Sequence, residues 1–308
     1  MARSTSNADV IRAIDPLVDS LFAAFSGKPD GVYWVSVDMI TVPRAISVCR
    51  EQFEDFADGV ARTLLERLGP RATVLVSAFN FQFPQRHVFD VRESAVQTGA
   101  FGGLLLRRHA RLRTPQPFYS FFAFGARAIE LMSGPLPSNT GTNSVFQWIM
   151  DREADLLTIG HHYVKSLTSV HHAEDVAGVS YRYRKSFSGK VVRSDGTVGP
   201  ATSTFLVRKI GTCDFSALTL DGDAHLRASG IVETAALQVG REPIVAQKVD
   251  LARCHEVLVA DLLTETPRFV DYYGPNRENR GVITPPTANA MYIATLKAVK
   301  SQGRWHAA

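Results

Sequence analysis

Apolar residues recur along this chain in two rhythms. In residues 8–26, ADVIRAIDPLVDSLFAAFS, and 51–69, EQFEDFADGVARTLLERLG, they fall three and four positions apart, which predicts amphipathic helices. Pro16 is expected to interrupt the first, and Gly69-Pro70 to stop the second. Near-continuous apolar runs at 31–40, 72–83 and 117–128 read instead as strands buried on both faces. Strand, helix, strand within about fifty residues is a βαβ signature and places the chain in the α/β class.

Further along, TGAFGGLLLRRHARL (98–112) reads as a glycine-rich turn entering a short helix, and SGPLPSNTGTNS (133–144) as a loop. A helix, VFQWIMDREA, and a short strand, 155–160, follow. VSYRYRKSF (179–187) precedes a polar hairpin around Asp195-Gly196. Beyond residue 203, VDLARCHEVLVADLLTE is the clearest helix. No repeat or low-complexity linker divides the chain. The expected organisation is an N-terminal helical segment, 1–30, and one large domain, 31–300.

Composition changes this picture little. The 308 residues are 45% hydrophobic and 21% charged, an ordinary globular mix. No apolar run is long enough to span a membrane, and MARSTSNADV lacks the apolar core of a secretory signal. Cys49, Cys213 and Cys254 are sparse and far apart, which fits a reducing compartment and buried, unreactive thiols. A cytoplasmic location is expected. The net charge of +4 is too small and diffuse to imply nucleic acid.

Titratable residues concentrate in TSVHHAED, Thr168–Asp175. On a helix, His171 has Glu174 at i+3 and Asp175 at i+4, whereas His172 has only Asp175 within reach. A carboxylate fixes a histidine's tautomer and raises its basicity, which suits a general base. The same residues would also make an unremarkable surface turn, with Thr168 or Ser169 as cap, and spacing alone leaves both readings open. A metal site built on His161, His162, His171 and His172 is a third reading, although adjacent helical side chains diverge by about 100°. The run RRHARLR, Arg107–Arg113, is either a solvated helix face or a grip for phosphate.

Taken in order, these stretches resemble the aminoglycoside 3-N-acetyltransferase family, the antibiotic N-acetyltransferases that use acetyl-CoA. TSVHHAE (Thr168–Glu174) matches the T-S-x-H-x-A-E signature, and YRYRKSF (Tyr181–Phe187) the Y-R-x-x-K-x-F block that follows it. FDVRESAVQTG (Phe89–Gly99) with Arg107, and RTPQPFYS (Arg113–Ser120), match looser upstream motifs. The resemblance runs from about residue 30 to 270 and includes GTCDFSAL and TPRFVDYYG near its end. Three places depart from the pattern. Gln116 replaces a usual histidine, Ser36–Asp38 stand where a His-Ser-Ser turn is expected, and Gly102-Gly103 occupy the place of an acid.

The resemblance implies a single α/β domain with a mixed central sheet flanked by helices, and acetyl transfer from acetyl-CoA to a primary amine of an aminoglycoside or amino-sugar-like acceptor. It implies His171 as general base with Glu174, and after it Asp175, as orienting acid. The coenzyme would lie near Ser36, Thr98, Gly99, Arg107, Arg113 and Ser120, with Ser120 or the Ser36 turn stabilising the oxyanion. Asp90, Tyr181 and Arg182 would face the acceptor. No metal is required. The basic balance and the aromatic runs FNFQF and PFYSFFAF incline the acceptor away from a polycation. The rival readings are a metal-dependent hydrolase on the four histidines and a non-catalytic binding descendant of the fold.

Overall fold

The computed structural model describes residues 7–134, 136–240 and 242–301; the first six residues of the expected N-terminal segment lie outside it. In chain order the strands are β1 (Val32–Val37), β2 (Thr73–Ser77), β3 (Val88–Asp90), β4 (Phe121–Gly125), β5 (Asp155–Ile159) and β6 (Arg182–Val192). They continue with β7 (Val198–Arg208), β8 (Phe215–Leu218), β9 (Val232–Leu237), β10 (Ile244–Asp250) and β11 (Val270–Tyr273). Six of them form the central sheet in the order β4-β2-β1-β5-β10-β9. β2 and β5 flank β1 in parallel, while β4, β10 and β9 run antiparallel to their neighbours. The sheet is therefore mixed, and the expected βαβ unit is β1, the helix Phe53–Leu68 and β2.

Side chains alternate across this sheet, as a pleated strand requires. Tyr33, Val35 and Val37 of β1 face a core shared with the helices Asn7–Ala24 and Phe53–Leu68. Val32 and Trp34 face a second core, to which the helices Val145–Met150, Val170–Ala177 and Leu251–Leu262 contribute. The stretch TSVHHAED thus ends in a helix packed on one face of the sheet. A smaller sheet, β3-β6-β7, and the pair β8-β11 lie beside these layers, and a third apolar cluster of Phe83, Phe89, Val91, Phe118 and Val191 underlies the smaller sheet.

Several boundaries differ from the sequence reading for physical reasons. The first helix runs through Pro16 from Asn7 to Ala24. Proline costs one backbone bond there, but Val10, Ile14, Leu17, Val18 and Leu21 are all buried on one stripe, and this burial outweighs the cost. The N-terminal helix is accordingly part of the main core. Strand 72–83 stops at Ser77, because Asn80 folds its amide back onto the Ala95 carbonyl and Phe83–Arg86 starts a short helix. Cys213 and Cys254 are buried, but Cys49 is exposed just before the short 3-10 helix Arg50–Gln52, contrary to expectation. Among the described residues no helix is long and apolar enough to cross a membrane.

Gly102 also acquires a reason. A Cβ at that position would overlap the Ser77 carbonyl oxygen, so the helix Ala100–His109 approaches β2 at a distance only glycine allows, and an acid could not fit there. Gly103 has no neighbour within 4 Å of such an atom. Gly102→Ala is expected to destabilise the fold by about 1–3 kcal/mol in urea unfolding, through overpacking. Gly103→Ala should be neutral or slightly stabilising, since alanine favours a helix.

Candidate active site

The helix Val170–Ala177 begins after the short 3-10 turn Tyr163–Lys165 and ends on Gly178, whose φ of 67° supplies the left-handed cap. Val170 and Ala173 anchor it in the core. This fixes His171 at the edge of the packed layer, with its side chain 20% exposed, while Glu174 one turn later is fully buried.

His171 Nδ1 lies 2.7 Å from Glu174 Oε2. A buried carboxylate accepting from Nδ1–H leaves Nε2 with a lone pair, and among the described residues Nε2 makes no hydrogen bond. Glu174 is held from two further directions. Tyr181 donates its hydroxyl to Oε1 at 2.9 Å, and the Arg182 guanidinium forms an ion pair with Oε2 at 2.7 Å. Arg182 is itself fastened, donating to Ser216 Oγ at 2.6 Å and to the Leu206 carbonyl at 3.3 Å. Tyr181 and Arg182, expected to face the acceptor, both hold the carboxylate that holds the histidine, and Arg182 also borders a cavity beside that histidine.

The electrostatics follow from this arrangement. Burial is the largest influence on His171 and lowers its pKa. Arg182, 3.2 Å from Nδ1, lowers it further, against the opposing pull of Glu174, and the net shift is downward. The ring is therefore neutral, and in the form of a base, at neutral pH. For Glu174 burial pushes upward, but His171, Arg182 and Ser216 together hold the carboxyl below its ordinary value.

His171 is also a wall of two cavities. One, of about 180 Å³, is bordered by Lys165, Thr168, Phe215, Thr284 and Pro285, where the helix Pro285–Ser301 begins. The other, of about 630 Å³, is bordered by Phe81, Tyr119, Arg182, Phe205, Arg208 and Asp214. Phe215 and Ser216 belong to both. Two compartments thus meet at one imidazole.

The other sequence candidates are placed elsewhere. His172 is completely buried. Its Nδ1 accepts from the Gly141 N–H at 2.9 Å, its ring stacks on His255, and burial brings its pKa down to about 3. Asp175 does not reach His171. It accepts from Arg184 Nε at 2.6 Å and from the Thr140 hydroxyl at 2.9 Å, which ties down the loop at Gly141. Ser120 is fully buried, donating to the Ala78 carbonyl and accepting from Arg113, so it cannot stabilise an oxyanion. Arg113 is buried too, bonded to the Ala78 and Ser94 carbonyls, and is a framework residue rather than a phosphate ligand. Arg107 pairs with Glu54 on the surface.

Thr98 and Gly99 lead into the helix Ala100–His109, and Asp90 accepts from the Arg92 N–H within its own turn. None of Asp90, Thr98, Gly99 and Arg107 lines either cavity beside His171. Ser36 lies among His161 and Ser166, with Oγ 3.0 Å from His161 Nε2 and 2.8 Å from Ser166 Oγ. Gln116 is buried, donating to Ser203 and accepting from the Phe118 N–H, a structural role that does not require a histidine.

The four histidines of the metal reading do not converge. His161 engages Ser36 and Ser166, His162 faces Arg227, and His172 faces Gly141 and His255. Among the described residues no group of three or more His, Cys, Asp and Glu is placed to hold a metal ion. The sequence reading missed Phe205, Arg208, Asp214 and Phe215 of the larger cavity. The family-like stretch GTCDFSAL contains two of them, so it carried a signal for that wall.

Comparison with known proteins gives a consistent picture. A family profile described as aminoglycoside 3-N-acetyltransferase matches residues 47–247. Among curated proteins, none matches the chain. Among solved structures, AAC-VIa bound to sisomicin is 16% identical with a TM-score of 0.58, covering 83% of this chain and 96% of that one. Aminoglycoside acetyltransferase AAC(3)-Xa is 18% identical with a TM-score of 0.60, covering 82% and 95%. AAC-IIIb in a binary complex with CoASH is 19% identical with a TM-score of 0.57, covering 79% and 93%. At such identities these likenesses establish the fold.

Proposed function

The chain belongs to the aminoglycoside 3-N-acetyltransferase family, and we propose that it moves an acetyl group from acetyl-CoA to a primary amine, with His171 as the general base. The observation that carries this reading is the position of His171: Nδ1 is tied to a buried carboxylate, Nε2 is free, and the ring borders two cavities at once. A reaction between two substrates needs such a meeting place, and holding both beside the base contributes as much as the base itself. Relatives solved with CoASH and with sisomicin support the assignment of a coenzyme A thioester as donor and an amine as acceptor.

The narrow cavity suits the thin end of the coenzyme's arm. Lys165 supplies positive charge at its mouth, where phosphates would lie. The acceptor then occupies the wider cavity. His171 Nε2 takes a proton from the amine as its nitrogen attacks the acetyl carbonyl carbon. The C–S bond breaks, an amide forms, and the departing thiolate recovers the proton from the imidazolium. Cys213 borders the wide cavity, but burial raises its thiol pKa, so it is protonated at neutral pH and takes no nucleophilic part. Asp90, the Thr98-Gly99 turn and Arg107 have no part in this scheme.

Thiol release from acetyl-CoA in the presence of an amine panel tests the proposal. Turnover with at least one amine and a single acid limb in kcat/KM, below the ordinary histidine range, are expected. Arg182→Gln removes the cation that depresses His171, so its acid limb should move to higher pH while coenzyme binding persists. An unchanged limb would separate Arg182 from the base.

A further inference from the structure

On the acetyl-transfer reading above, we infer that the acceptor is an amine with an aromatic or apolar body and one anionic group, a carboxylate or phosphate, received by Arg208. The wide cavity carries two opposite charges that are spent on nothing else. Among the described residues neither Arg208 nor Asp214 has an ion-pair or side-chain hydrogen-bond partner, and both border the cavity that ends at His171. Arg182, the other cation there, is neutralised by Glu174.

The placement of Arg208 is costly for the fold alone. It lies directly across from Arg182 in the β6-β7 ladder, so two guanidinium groups are opposed, and the Glu174 carboxylate pairs with Arg182 and not with Arg208. Like charges directly opposed across strands are unfavourable. A ligand anion beside Arg208 would relieve that repulsion and gain a planar, two-pronged hydrogen-bonding partner. Asp214 offers the counterpart for an ammonium group awaiting deprotonation.

The body of the acceptor follows from the remaining walls. Phe81, Tyr119 and Phe205 form one aromatic surface, with ring centroids 5.4–6.2 Å apart. Ile210, 98% exposed at the rim, extends it outward. A polycation would meet one carboxylate and an uncompensated guanidinium here, whereas an aromatic amine with one anion meets a partner for each of its parts.

Matched pairs of acceptors test this with the full-length protein saturated with CoA. The probes are 4-(aminomethyl)benzoate against benzylamine, tyramine phosphate against tyramine, and gentamicin as the polycation. Calorimetric titration should show the anionic member of at least one pair binding roughly tenfold or more tightly, the effect of one charge-assisted hydrogen bond. Arg208→Gln should erase that preference and Arg208→Lys should restore part of it. Because Arg208 is exposed at a strand end, both variants should fold as the parent does. The carboxylate and phosphate arms identify which anion is preferred. Equal affinities within both pairs, no binding by any of them, or tighter binding of gentamicin would overturn the inference while leaving the acetyltransferase reading standing. Failure of CoA itself to bind would count against both.

Discussion

His171→Ala is expected to lower kcat for acetyl transfer by about 10²- to 10⁴-fold, the usual contribution of a positioned general base. Equilibrium binding of CoA should survive, because the ring is only one element of the narrow cavity's wall. The acid limb of the pH–rate profile, once corrected for the fraction folded, should disappear with the ring, since no other histidine borders either cavity. His172→Ala separates catalysis from architecture. That ring accepts the Gly141 N–H and stacks on His255, so its loss should reduce stability and leave kcat within a few-fold. A parent-like kcat in His171→Ala, or a larger loss in His172→Ala, would reverse the assignment. Removing Glu174 is a poorer test. It strands Arg182 as a buried, unpaired charge, and about 3–5 kcal/mol of stability is expected to go with it.

The parts of the fold legible in the sequence were those written in periodicity. The helix at 53–68, the buried strands β1 and β2 and the parallel unit they form follow from apolar spacing. The choice of His171 over His172 as the ring beside Glu174 follows from helical geometry. What the sequence hid is burial. Arg113 and Ser120 look like ligands because arginine and serine often are, yet both are spent on backbone carbonyls inside the protein. Tyr181 and Arg182 sit in a motif next to the histidine, and only their three-dimensional reach shows that they brace Glu174. The wall made by Phe205, Arg208 and Asp214 comes from the far end of a long hairpin and the turn after it, which no local pattern brings to His171. Pro16 misleads in the opposite sense, because a local rule about helices yields to a well-buried stripe.

Acid should unfold this protein early, well above the pH at which its carboxylates protonate. Three histidines are buried as neutral rings. Burial is the leading cause in each, bringing His161 and His162 down to about 4 and His172 to about 3. Each folded-state value lies below the unfolded value near 6.5, so the unfolded chain takes up these protons first. Their stabilising contribution is therefore complete above about pH 6.5 and is lost as the pH falls toward 4. With all three counted, the slope is about 4 kcal/mol per pH unit in the middle of that window. A stability at the lower end of the typical range of about 5–15 kcal/mol would be exhausted within about one to two units. Urea midpoints at pH 7, 6 and 5 should fall steeply, and His172→Asn, whose Oδ1 can replace Nδ1 as acceptor for Gly141, should reduce the slope by about one third. A midpoint that stays level from pH 7 to 5 would mean that these rings are solvated, or protonate without opening the fold. The same window sets where activity can be measured, because a fall in rate below pH 6 is attributable to His171 only after the fraction folded has been determined at each pH.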